Sequence, residues 1–277
     1  MDKILIFDAM NAMHRARFPF NDGNYSIVFN FFRNIRPLIE QFSPDKVFFV
    51  FEGHPKFRHE LYADYKANRI IKTASEELTE QQKLKQEEMV DFYRQAQIII
   101  QLLKFLPVSL VKAENYEADD TIATLCEDLK EENITIISSD TDFIQLLQKG
   151  YKNIGLYNPI KKEFLEPPEY PYVVWKSLAG DKTDNIPKIL TEGKATKICN
   201  DPSKLEQFLS LEENRSLFSI NKRLIEFAIV PQEELIIDNG ECNFEKLKED
   251  FHFMEFNSII NDKSWNKYIN TFNCIRF

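Results

Sequence analysis

Short, nearly uninterrupted apolar runs alternate with longer amphipathic stretches through the N-terminal part of the chain. The runs are Lys3 to Phe7 (KILIF), Lys46 to Phe51 (KVFFVF), Pro107 to Val111 (PVSLV) and Ile134 to Ile137 (ITII), with Asn153 to Tyr157 (NIGLY) as a fifth. Their apolar residues follow one another instead of alternating, so both faces of each strand are buried, as in parallel strands between crossover helices. The fold class that follows is α/β, a doubly wound, mostly parallel sheet.

The residues that end these runs are acidic. The first run leads into Asp8, the second into Glu52, the third reaches Glu117 after a short connection, and the fourth leads into Asp140 with Asp142 beyond it. An open parallel sheet puts all its carboxyl ends on one edge, where ligands bind. These carboxylates are therefore predicted to converge. In NYEADDTIATL, Glu117, Asp119 and Asp120 crowd three of them into four positions. Two charges about 4 Å apart repel by roughly 1 kcal/mol in bulk water and roughly 4 kcal/mol at an effective dielectric of 20. One compensation is helix capping, because acidic groups in a first turn face the positive end of the macrodipole and Ile122, Ala123 and Leu125 continue at helical spacing. The other is divalent cations. A second acidic pair, Asp181 and Asp184 in SLAGDKTDNIP, has i,i+3 spacing that puts both side chains on one face, and also suits a simple Asx turn.

Composition narrows the class. The 277 residues are 43% hydrophobic, enough for one large domain or one with a smaller appendage. No run approaches the roughly 18 apolar residues of a membrane span, and the segment after Met1 is broken at Asp8 too early for a signal peptide, so a cytosolic protein is expected. Cys126, Cys199, Cys242 and Cys274 have no CxxC spacing and read as reduced thiols. A net charge of -9 argues against coating nucleic acid with the whole surface, while leaving local basic patches open. One such stretch is KFRHELYADYKANRIIK, with five Lys or Arg against two acids and with Phe57, Tyr62 and Tyr65 interleaved. That mixture suits a phosphate backbone and its bases, and also a solvated helix face. Residues 66–95 hold neither proline nor glycine and balance their charges, which predicts inserted, partly exposed helices. Beyond Tyr157, a linker-like run NPIKKEFLEPPEYP leads into a mainly helical remainder. His14, His54, His59 and His252 form no triad pattern.

Five motifs in order, IFDAMN, VFEGHPKFRHELYADYKANR, YEADD, ISSDTDFIQLL and GDKTDNIP, resemble the metal-dependent 5'-nuclease or flap endonuclease family. That family includes free-standing phage enzymes, some named ribonuclease H, and the 5'-nuclease domain of bacterial DNA polymerase I. The resemblance is specific to about residue 190 and weaker through FAIVPQEELIIDNGECNFEKLKEDFHFMEFNSII.

The resemblance implies a PIN-like nuclease domain over residues 1–175, with a helical arch at about 66–96, and a helical duplex-binding region over 176–277. It implies two Mg2+ or Mn2+ ions: one held by Asp8, Glu52, Glu117, Asp119 and Asp140, the other by Asp142, Asp181 and Asp184, with Asp119 or Asp140 near both. Asp120 matches a less consistently acidic family position. Lys66 and Arg69 would grip the scissile phosphate at the foot of the arch, and Arg58 would be a further phosphate contact. Two departures stand out. Glu52 replaces the usual aspartate, and KILTEGKATK replaces the usual glycine-rich hairpin of a helix-three-turn-helix. A degenerate version of that motif would use Lys188, Lys194 and Lys197 on duplex DNA, and a potassium site is in doubt. The expected substrates are DNA flaps or 5' ends and RNA–DNA hybrids, cut by a monomer during replication, beside a sliding clamp and a single-strand-binding protein. The C-terminal SWNKYINTFNCIRF reads either as a docking tail or as a terminal helix packed on the core. The competing functional classes are a DNA-binding accessory protein without catalysis and an RNA-cleaving PIN nuclease. The latter is usually much shorter and lacks an arch.

Overall fold

The computed structural model describes residues 1–17, 23–69 and 79–277. Seven strands form one sheet: β1 Lys3–Asp8, β2 Lys46–Phe51, β3 Ser109–Ala113, β4 Asn133–Ile137, β5 Ile154–Asn158, β6 Glu163–Phe164 and β7 Leu235–Asn239, in the order β6-β5-β4-β1-β2-β3-β7. The five strands read from the sequence pair in parallel at the centre, and β6 and β7 close the two edges antiparallel. β1 shows why a continuous apolar run was needed. Leu5 and Phe7 enter the core on one face of the sheet, while Ile4 and Ile6 enter the core on the other.

The helices are α1 Ala9–Ala16, α2 Ser26–Phe42, α3 Lys56–Leu61, α4 Glu80–Leu103, α5 Ala118–Asp128, α6 Ile144–Leu147, α7 Tyr172–Ala179, α8 Glu192–Cys199, α9 Pro202–Leu209, α10 Glu212–Ile225, α11 Phe244–Phe253, α12 Asn257–Ile260 and α13 Asp262–Phe272. α1, α2, α4 and α11–α13 supply the core on one side of the sheet, and α5 and α6 supply the other. α4 starts at a Thr79/Gln82 capping box and runs 24 residues. Its buried Gln95 accepts the Ile27 and Val28 amides, at 2.9 and 3.3 Å, and so satisfies the start of α2. Among the described residues, no helix is long and apolar enough to cross a membrane. The expected arch lies partly in residues 70–78, outside the described residues.

The mainly helical reading of the chain beyond Tyr157 misses two strands. β6 interrupts the linker-like run, and β7 brings the chain back to pair with β3. β7 is exposed at Ile236 and Ile237 because it is an edge, so its sequence lacks the two-sided burial that marked the central strands. The segment after β7 also returns to the core: Trp265, Tyr268, Phe272 and Ile275 are buried in it. Of the two readings of SWNKYINTFNCIRF, the terminal helix packed on the core describes Trp265, Tyr268 and Phe272, while the last aromatic, Phe277, stays half exposed.

Register positions the acidic edge. Asp8 pairs across from Val50, so Glu52 emerges two residues beyond it, and Phe7 pairs with Ile137, which brings Ser138 beside Asp8. Gly53 follows Glu52 where β2 passes under the turn into α5. It donates to the Tyr116 carbonyl at 3.0 Å, and a Cβ there would lie 2.0 Å from the Ala113 carbonyl oxygen. Only glycine permits that approach.

Candidate metal centre

Asp8 both ends β1 and caps α1. One carboxylate oxygen accepts the Asn11 amide at 2.9 Å and the other accepts the Ser138 hydroxyl at 3.0 Å. Asn11 also donates to Ser139 Oγ at 2.8 Å and accepts the Ser139 amide at 3.2 Å, which ties together the exits of β1 and β4. From β2, Glu52 reaches the start of α5 and accepts the Ala118 amide at 3.1 Å. Beyond β4, Asp140 accepts the Asp142 amide at 2.8 Å, so the turn that carries both residues is closed by one of them.

Asp119 lies at the centre of this group. Burial raises its carboxyl well above the ordinary range, and the negative charges of Asp140, Asp8, Glu52 and Glu117 raise it further. Groups from three other segments, together with its neighbour Glu117, thus act on one carboxylate. Asp8 is itself pushed up by burial against the opposing bonds from Asn11 and Ser138. Burial and the charge of Asp142 push Asp140 up to about 6. Glu52 keeps 39% of its side chain open to solvent, yet partial burial together with the charge of Glu117 pushes it up to about 7.

Two ammonium groups answer part of this charge. Lys66 bonds Glu117 and stands 4.0 Å from Glu52 and 3.9 Å from Asp184. Burial alone would lower its pKa, but these three carboxylates outweigh it and raise it. Burial likewise pushes Glu117 up, but Lys66 and Arg58 outweigh it and hold the carboxyl below its usual range, with the Tyr65 hydroxyl donating at 3.0 Å. Lys176 bonds Asp142 and lies 2.7 Å from Asp181. The Tyr172 hydroxyl adds a bond to Asp142 at 2.8 Å. Asp181 is held below the usual carboxylate range because Lys176 outweighs its burial.

The expected ligands therefore fall into linked groups. Glu52, Glu117 and Asp184 meet at Lys66, Asp142 and Asp181 meet at Lys176, and Asp8, Asp119 and Asp140 act on one another through their charges. Among the described residues, no three acidic, histidine or cysteine side chains are gathered closely enough to hold a metal ion. Lys176 and Tyr172 were not singled out from the sequence, and Tyr65 was read only as an aromatic beside basic residues. The usable signal was a lysine five positions ahead of Asp181 on a helix leading into the acidic loop.

Two expected roles are corrected. Asp120 is fully buried and is not at the metal edge: it forms a two-pronged ion pair with Arg58, accepts the Ala228 amide at 2.7 Å and caps α5 through the Glu117 amide at 3.2 Å. Arg58 is 1% exposed and cannot meet a phosphate. Besides Asp120, its guanidinium donates to the Leu224 and Glu226 carbonyls at 2.9 and 3.1 Å, closing the C-terminus of α10 where carbonyls lack helical partners. The YEADD stretch thus divides between neighbours: Asp120 is turned inward and caps α5, while Asp119 lies under the charges of the acidic edge. Lys188, Lys194 and Lys197 are exposed, around the loop from α7 into α8. Arg69 ends the 3-10 turn Ala67–Arg69, and its side chain lies outside the described residues.

A doubly wound, mostly parallel sheet with acidic side chains at its carboxyl-end edge defines an α/β protein with the architecture of PIN-like nucleases. Within that class, residues 3–170 match the 5'-3' exonuclease N-terminal resolvase-like domain, and the chain belongs to this family. It is 29% identical over 234 residues to the 5'-3' exonuclease of Mycoplasmopsis pulmonis, covering 79% of this chain and 73% of that protein. It is 30% identical over 222 residues to DNA polymerase I of Streptococcus pneumoniae, covering 71% of this chain but 23% of the polymerase. The chain therefore spans only about a quarter of that polymerase. In fold it is similar to the bacteriophage T5 flap endonuclease solved with DNA and metal ions, with a TM-score of 0.64, 17% identity and 98% of each chain covered.

Proposed function

We propose that the chain is a divalent-metal-dependent 5'-nuclease, a 5'-3' exonuclease and flap endonuclease that hydrolyses phosphodiester bonds in DNA flaps and RNA primers during replication. The observation that carries this reading is the edge itself, to which adjacent parallel strands and the start of α5 deliver Asp8, Glu52, Glu117, Asp119 and Asp140. Such unrelieved charge suits divalent cations, and an all-oxygen donor set suits Mg2+ or Mn2+ over zinc. Mg2+ keeps several waters and needs only one or two carboxylates plus substrate phosphates, so an edge without a closed protein cage fits it. Asp8, Glu52, Glu117, Asp119 and Asp140 would hold one ion, and Asp142, Asp181 and Asp184 a second. Bound ions supply charge neutralisation and activation of water for in-line phosphodiester hydrolysis.

The chain's own groups supply the rest. Lys66 places a positive charge beside Glu117, where a phosphate oxygen would compete for it, and Tyr65 fixes the Glu117 carboxylate from the other side. Arg69 is assigned the neighbouring phosphate contact. Lys188, Lys194 and Lys197 would meet duplex phosphates beside α8, in place of the glycine-rich hairpin of a helix-three-turn-helix. A working site in the cytoplasm, beside a sliding clamp and a single-strand-binding protein, completes the reading. Its test is incubation of an end-labelled 5'-flap duplex with the protein and Mg2+. A cleaved flap from wild type and none from Asp142→Asn is expected. No product from wild type, or equal product from both, would overturn it.

A further inference from the structure

Lys66 is held at the acidic edge from behind as well as through its side chain. Its backbone amide donates to the Asp184 carbonyl at 2.9 Å. Two residues on, Asn68 Nδ2 donates to the Lys182 and Thr183 carbonyls at 3.1 and 3.2 Å. In the opposite direction, Asn185 Nδ2 donates to the Asp64 carbonyl at 2.8 Å. The bonds join two segments that lie far apart in sequence, and side chains reach across from both sides. Beneath them, Tyr65 packs with Ile186, Leu224 and Ile225.

The acidic loop is closed on its own account. Asp181 and Ile186 exchange backbone hydrogen bonds at 3.1 and 2.7 Å, and Asp181 Oδ1 accepts the Thr183 amide at 2.7 Å. The loop is therefore a firm platform. Lys66 and Asn185 both lie in the left-handed region, at φ 54° and 58°. Asparagine visits that region readily, but lysine does so only when its surroundings impose it. Here the imposed conformation is the one in which the Lys66 amide meets Asp184 while its ammonium meets Glu117.

We infer that Asn68 and Asn185 are positioning residues that clasp the segment carrying Lys66 to the loop carrying Asp184, and so set where the Lys66 ammonium stands among the carboxylates. For its catalytic consequence, this inference rests on the nuclease reading above. The clasp makes the phosphate-gripping lysine and the Asp184 carboxylate one rigid unit. Misplacement by about 1 Å of a group that orients substrate costs on the order of 100-fold in rate. A residue that acts only through orientation changes kcat with little effect on KM.

The test compares wild type with Asn185→Gly, Asn185→Ala and Asn68→Ala, using flap cleavage in Mg2+ and hydrogen–deuterium exchange of residues 62–69. Asn185→Gly keeps the left-handed backbone accessible and removes only the side-chain bond, so it separates the clasp from backbone strain. Asn185→Gly and Asn68→Ala are each expected to lower kcat by roughly 10- to 100-fold with KM held within about twofold. Asn185→Gly is also expected to speed exchange across 62–69, a segment distant in sequence from the changed residue. Asn185→Ala, which adds strain, is expected to lose at least as much. Wild-type kcat in Asn185→Gly, or unchanged exchange at 62–69, would overturn the inference. If wild type cleaves no flap the nuclease reading fails by itself, while the exchange measurement still decides whether the clasp exists.

Discussion

The Lys176 ammonium stands between Asp142 and Asp181, bonded to the first and 2.7 Å from the second. It lies on α7, 8% exposed, and bridges both carboxylates of that pair. The ammonium thus compensates part of the negative charge of this acidic pair. Lys176→Met should remove this compensation and leave two partly buried carboxylates facing each other. The loss should be below the roughly 3 to 5 kcal/mol of breaking a fully buried pair, because both aspartates keep some solvent contact. In EDTA the thermal midpoint should fall, and Mg2+ or Mn2+ should restore more of it than in wild type. An equal response of the two proteins to metal would count against Lys176 acting in this way.

Arg58 and Asp120 give a contrasting outcome. Both are buried, and the guanidinium is held by charge-assisted bonds to Asp120 and by two carbonyls at the end of α10. Arg58→Ala leaves Asp120 buried without its partner, which should cost about 3 to 5 kcal/mol in urea unfolding. DNA affinity measured on the remaining folded protein should match wild type. Weakened binding without lost stability would return Arg58 to a phosphate-contact role.

Asp119→Asn should separate stability from activity. The substitution keeps the shape of the side chain and removes the charge that repels Asp140, Asp8, Glu52 and Glu117. In EDTA at pH 8 its thermal midpoint should rise above wild type. Flap cleavage should fall by about 100-fold or more, the usual scale for removing one preorganised electrostatic group. A lower midpoint in EDTA would mean that Asp119 is not under repulsion.

The raised carboxylates also set a pH dependence. Glu52 moves from 4.5 in an unfolded chain to about 7, and Asp140 from 3.8 to about 6. The folded state therefore binds more protons than the unfolded state between these limits, so their contribution to stability is lost as pH rises from about 4 through about 7. In EDTA the thermal midpoint should fall over this window. Mg2+ should flatten that fall by holding the carboxylates ionised, and it should stabilise most at pH 8. A midpoint in EDTA that climbs steadily between pH 5 and 8 would contradict these shifts.

How much of the site could be read in advance varied from one residue to the next. Asp8, Glu52 and Asp140 were visible because each follows a buried strand, and parallel strands deliver their ends to one edge whatever the details of packing. Asp119 and Asp120 are adjacent, chemically equivalent in sequence, and separated only by the turn of α5, which points one toward the acidic space and buries the other against Arg58. Arg58 was expected to contact phosphate because the family resemblance places it with Lys66 and Arg69. Its burial depends on α10, far along the chain, supplying the Leu224 and Glu226 carbonyls.

The order of apolar runs determined that this chain builds a parallel, doubly wound sheet, because two-sided burial leaves a mark on every residue of a central strand. The acidic strand ends determined where its chemistry gathers. Tertiary structure alone decided that β7 closes the sheet, that the C-terminal aromatics enter the core, and that Lys66 and Lys176 face carboxylates. An edge strand, a packed terminal helix and an ion pair each depend on a partner distant in sequence, and local pattern holds no record of which partner that is.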